Sequence, residues 1–75
     1  MAAEILKNQC TDSEGHIWYE YYSEYPNDNY APGGRDEVIQ IKRGNQEMGH
    51  ITWHRDANGR ELSKNVHGSY HSLPC

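Results

Sequence analysis

The sequence predicts a mainly β fold, a small antiparallel sheet or partly open barrel of about four to six strands with a central meander over about residues 36–70. Three observations predict it. Asn58-Gly59 is a tight-turn pair set between Trp53-His54-Arg55 and Arg60-Glu61-Leu62. His16–Glu24 (HIWYEYYSE) alternates Ile17, Tyr19 and Tyr21 with Trp18, Glu20, Tyr22 and Glu24, the period of a strand. Asp36–Tyr70 as a whole reads as three strands separated by two short turns.

Met1–Gln9 holds helix-favouring Ala2, Ala3, Glu4, Leu6 and Lys7, but the run is too short to sustain an isolated helix. The reading adopted is an edge strand, joined to the next by a turn at Asp12-Ser13-Glu14-Gly15, where Asp and Gly occupy favourable positions. His16–Glu24 is the second strand and carries large rings on both sides. Tyr25–Arg35 (YPNDNYAPGGR) is read as a long loop, because two prolines, two glycines and Asn-Asp-Asn oppose regular structure. Its Ala31–Arg35 stretch could expose consecutive N–H groups to an anion, but no helix follows and an ordinary loop is the reading.

Within the meander, a three-residue loop at Gly44–Gln46 sets Ile39 opposite Ile51 and Arg43 opposite Glu47. A two-residue type I′ turn at Asn58-Gly59 pairs Ala57 with Arg60, Arg55 with Leu62, Trp53 with Lys64, Ile51 with Val66 and His50 with His67. One face then collects Ile39, Ile41, Ile51, Trp53, Leu62 and Val66. The other collects Gln40, His50, Thr52, His54, Ser63, Asn65 and His67, with Asp36 near His54. One dry and one wet face are expected of an antiparallel sheet. His67–Cys75 adds a few strand residues and then frays.

The 75 residues form one small domain, 1–75, with frayed ends and little room for a core. Ile, Leu and Val are scarce and Phe is absent, but six Tyr and two Trp carry enough apolar area to argue against disorder. The net charge of −4 is uneven: residues 1–40 carry −6 and residues 41–75 carry +2. An acidic whole argues against direct nucleic-acid binding. No apolar run approaches membrane-spanning length and a signal-peptide core is lacking, so the expected setting is cytoplasmic, with no membrane partner. Cys10 and Cys75 do not make a disulfide framework, and a single bridge between them would require an oxidising compartment.

Five of the six tyrosines lie between Tyr19 and Tyr30, among acidic side chains. Tyr19 and Tyr21 are assigned to the core. Trp18, Glu20, Tyr22, Glu24, Tyr25, Asp28 and Tyr30 are the candidate binding residues, because tyrosine gives large, rigid contact area and the carboxylates complement a basic partner. Glu20, Tyr22, Glu24, Tyr25 and Tyr30 are expected to form one patch with little internal neutralisation, Lys7 and Arg35 being the only basic residues before Lys42. The functional expectation is a non-enzymatic inhibitor or adaptor that docks this strand and loop on a basic surface of a larger protein, such as one that holds nucleic acid.

Two alternatives stand beside it. A metal-independent ribonuclease or toxin-like nuclease would use His50 and His67 as acid and base, with His54 nearby and Arg55 and Arg60 on the phosphate. A structural subunit would self-associate as a homodimer. No catalytic set is assigned outright, and no cofactor or metal is expected. His67-x3-His71-x3-Cys75 has helical ligand spacing, but Gly68, Ser69 and Pro74 oppose a helix there.

Overall fold

The computed structural model describes residues 4–75. Among them lie five strands: β1 (Ile5–Thr11), β2 (Ile17–Pro26), β3 (Arg35–Arg43), β4 (Gln46–Arg55) and β5 (Glu61–Gly68). They form one open antiparallel sheet in the order β1-β2-β3-β4-β5, a simple meander. The strand reading of the N-terminal segment holds from Ile5 on. Its first three residues lie outside the described residues.

Both meander turns differ from the sequence reading, in opposite senses. The first is a two-residue loop, Gly44-Asn45, with Gly44 at φ +60° and Asn45 at negative φ, as in a type II′ turn. Arg43 therefore pairs with Gln46, and Lys42 rather than Arg43 faces Glu47. Met48 is then an extra, bulged residue that restores Ile39 opposite Ile51.

The second turn is a three-residue loop, Ala57–Gly59, in which only Gly59 has positive φ, at +86°. The Asp56 carboxylate explains the change, because its Oδ1 accepts the N–H groups of both Asn58 and Arg60 at 2.9 Å. That Asx arrangement fixes a turn that leaves Asn58 at negative φ. The Asp12–His16 turn repeats it, with Asp12 Oδ1 accepting from Glu14 and His16. Arg55 faces Glu61, not Leu62, and Leu62 is the bulge that returns Trp53 to Lys64, Ile51 to Val66 and His50 to His67.

Strand alternation gives the sheet two faces. One cross-strand row, Ile5–Tyr22–Ile39–Ile51–Val66, is apolar or aromatic on all five strands. On the same face the C-terminal segment after Gly68 does not fray. It folds back as a strap, beginning with Ser69 and Tyr70 donating their N–H groups to the Met48 carbonyl. The Tyr70 ring packs on Trp18 at 4.7 Å between centroids, and Cys75 is disulfide-bonded to Cys10. The strap needs Gly49 beneath it, since a Cβ there would run into the Tyr70 carbonyl oxygen.

The core is confined to the strapped end. Trp18 (3% exposed) and Ile41 (0%) are the buried apolar residues among those described, while Val66 and Leu62 are 53% and 42% exposed. The expected dry face is thus dry at one end only, because the strap covers that end and, among the described residues, no second layer covers the rest. The overall extents of 45 × 22 × 17 Å are those of one sheet with a partial cover. No helix is long and apolar enough to cross a membrane among the described residues.

Candidate functional sites

The second and third strands extend further than the sequence suggested. Tyr25 and Pro26 belong to β2 and Arg35 to β3, leaving residues 27–34 as the loop. Pro26 sits at the strand end, where a missing N–H is tolerated.

The loop is pinned at several points. Asn27 donates its backbone N–H to the Gly34 carbonyl at 3.0 Å and its side-chain amide to both Asp36 oxygens at 2.9 and 3.0 Å. Asp28 Oδ1 accepts from the Gly33 N–H, and Asn27 Oδ1 from that of Asn29. The Tyr30 ring lies flat on the His54 imidazole, 4.0 Å between centroids.

His54 is the hub beneath. It is buried, donates Nδ1–H to Asp36 Oδ1 at 2.6 Å, and accepts at Nε2 from the Asn65 amide at 2.9 Å. A buried imidazole with both nitrogens satisfied is a structural pin, not a free base. It ties β3, β4, β5 and the loop together.

Around this pin, Tyr25 (44% exposed) and Tyr30 (51%) stand out of the surface, with Asp28 exposed beside them. Glu20, Tyr22 and Glu24 are on the strap face instead, because residues an odd number apart on a strand point to opposite sides. The single patch expected from sequence is therefore divided by the sheet, and Trp18 leaves it altogether for the core.

The expected lack of neutralisation is corrected as well. Arg35 Nε lies 3.8 Å from Glu24 and 3.2 Å from Glu37, Arg55 Nε lies 2.8 Å from Glu37, and the Lys7 ammonium sits over the Tyr22 ring at 5.6 Å. Partial burial pushes Glu37 up, but hydrogen bonds and charge from Arg55 and Arg35 outweigh it and hold the carboxyl below its usual range. Burial, together with its hydrogen bond to Glu24 at 2.9 Å, pushes the Tyr22 phenol up to about 12.

The opposite face carries the histidine pair. His50 and His67 face each other across β4 and β5, their rings stacked at 5.0 Å between centroids. His50 Nδ1 donates to Glu47 Oε2 at 3.0 Å, and Gln40 donates to Glu47 Oε1 at 2.6 Å. The hydrogen bond from Gln40 and then that from His50 hold the Glu47 carboxyl below its usual range.

Of the other residues named for a nuclease, His54 is engaged as described, Arg55 is on the strap face in its ion pair with Glu37, and Arg60 is exposed beyond the turn. Among the described residues, no group of three or more His, Cys, Asp or Glu is arranged to hold a metal, and Cys75 is taken by its disulfide. Sequence reasoning missed the Asp36–His54–Asn65 network as a unit. The alternation of Asp36, His54 and Asn65 on one face was its only signal.

Compared with protein-family models, curated proteins and solved structures, the chain matches none of them.

Proposed function

We propose that the protein is a small non-enzymatic binding module, an inhibitor or adaptor, that docks on a basic surface of a larger protein. The observation that carries this reading is the pinned loop: residues 27–34 are tied down at both ends and in the middle, yet Tyr25 and Tyr30 remain about half exposed. Exposed aromatic anchors on pre-organised backbone bind with little further loss of conformational freedom. Tyr25, Asp28 and Tyr30 form the contact group. A partner that ordinarily holds nucleic acid has the complementary basic surface.

The test is affinity capture with wild-type and Tyr25→Ala, Tyr30→Ala protein, followed by kinetics on the captured partner. The tyrosine substitutions are expected to raise the off-rate, and added salt to lower the on-rate. A double variant that binds like wild type removes the loop from the interface.

The cytoplasmic setting expected from sequence suits the open, dithiol form of Cys10 and Cys75. The bonded form belongs to an oxidising compartment.

A second reading is favoured by one observation, the stacking of His50 and His67 on the accessible face. Two imidazoles at that distance could divide acid and base roles in metal-independent RNA cleavage. Cleavage that persists in EDTA and is lost in both His50→Ala and His67→Ala would support it. Intact RNA after long incubation with wild type would end it.

A further inference from the structure

We infer that His50 and His67 form a cross-strand site for a borderline divalent metal ion of the zinc, copper or nickel class, and that Glu47 and Gln40 orient it. The inference is independent of the binding reading above. Three features carry it.

The two imidazoles are direct partners in the β4–β5 register and lie on the same face, with centroids 5.0 Å apart. Two nitrogens on one tetrahedral zinc lie about 3.3 Å apart at the usual bond lengths. Rings facing each other across neighbouring strands reach that spacing by turning their edges together.

The second feature is the tautomer. Glu47 Oε2 receives His50 Nδ1–H at 3.0 Å, which leaves the lone pair on Nε2. A carboxylate on the far nitrogen is the common outer partner of a metal-bound histidine: it fixes the ring and raises its basicity. Gln40 Nε2, 2.6 Å from the other Glu47 oxygen, in turn fixes the carboxylate. Glu47 is thus a positioning residue and the ion's remaining positions fall to water.

The third feature is access. His67 is exposed and the His50 side chain is 31% exposed, so an ion can reach both. His54, on the same face, cannot compete, because both of its nitrogens are engaged and the residue is buried. Imidazole pairs suit the later first-row divalent ions over magnesium or calcium. An ion held there would clip the edge strand β5 to β4.

The experiment is calorimetric titration of tag-free, full-length protein with zinc chloride, with nickel as a second probe. One ion per chain is expected. His50→Ala and His67→Ala should each weaken binding at least tenfold, and Glu47→Gln should weaken it about 10–100-fold. His16→Ala and His71→Ala should bind as wild type does. Ring resonances of His50 and His67 should move on titration while those of His54 stay. Zinc should also raise the urea midpoint of wild type and leave that of His67→Ala unmoved, a readout separate from any effect on folding. Wild-type affinity in His67→Ala, loss of binding in His16→Ala instead, or no zinc binding by wild type would each overturn the site.

Discussion

Opening the Cys10–Cys75 bond, with dithiothreitol or by a Cys10→Ser, Cys75→Ser double substitution, is predicted to remove a large part of the stability of this fold. The two residues are 65 positions apart, and cross-linking a loop of that size lowers the entropy of the unfolded chain by the equivalent of about 4 kcal/mol. A chain of this length has a total stability of about 4–11 kcal/mol. The bond also holds the strap over the two buried apolar residues, Trp18 and Ile41, so its loss lets water reach the core. Urea unfolding followed by tryptophan emission, in oxidised and reduced samples, measures the effect. The midpoint should fall steeply on reduction. The slope should rise, because an unfolded chain without the cross-link exposes more surface. Coincident midpoints, with tryptophan emission of a Trp53→Phe background unchanged before unfolding, would refute both the entropic argument and the assignment of the strap as the cover of the core.

The Gly49→Ala variant should lose about 1–3 kcal/mol in urea unfolding, since its Cβ meets backbone atoms of the strap that cannot move aside. Gly59→Val should cost about as much, roughly 1–3 kcal/mol, because a β-branched residue resists φ near +86°. The Asp12 carboxyl is held at about 2, chiefly by the Trp18 indole N–H at 2.8 Å and then by the N–H groups of His16 and Glu14. Its folded value is depressed, so its contribution is complete above an ordinary value of 3.8 and drains away as pH falls toward 2. Acid unfolding of Asp12→Asn should lack that component. His54→Ala takes the imidazole from Asp36, which keeps only its bonds from Asn27, and from the Tyr30 ring, and amide exchange over residues 27–34 should quicken while that of β1 and β2 near Thr11 stays slow.

Much of the sheet was legible because alternation in its central strands is strict. Ile39, Ile51 and Val66 can share a face in only one parity, so their register survived although both turn lengths were misjudged. The bulges at Met48 and Leu62 absorbed those two errors. Bulges leave no mark in an alternation pattern, and the turn at Asn58-Gly59 was decided by a carboxylate two residues upstream. The histidine pair followed directly from register. The tyrosine patch is divided for a related reason: beside Pro26 and Asn27, Tyr25 reads as loop, whereas three positions along one strand separate it from Tyr22 and put the two on opposite sides. The strap depended on contacts between ends of the chain distant in sequence, Tyr70 with Trp18 and Cys75 with Cys10, which no local pattern reports.

The covalent ring closed by Cys10 and Cys75 also determines how the molecule would carry mechanical load. A pull applied between Ile5 and Cys75 runs along the start of β1 to Cys10 and crosses directly through the sulfur bridge. Strands β2 to β5 lie inside the ring and carry none of that tension. Among the described residues, the hydrogen bonds in the load path are those of β1 before Cys10, which would open in sequence from the Ile5–Tyr22 pair. β1 already rises about 3.3 Å per residue against a limit of about 3.5 Å, so straightening Ile5–Cys10 adds only a few ångströms. With the bridge reduced, the same pull would draw the strap off Trp18 and then unravel the meander one edge at a time. A single electron-pair exchange would convert a nearly inextensible link into one that pays out the whole chain.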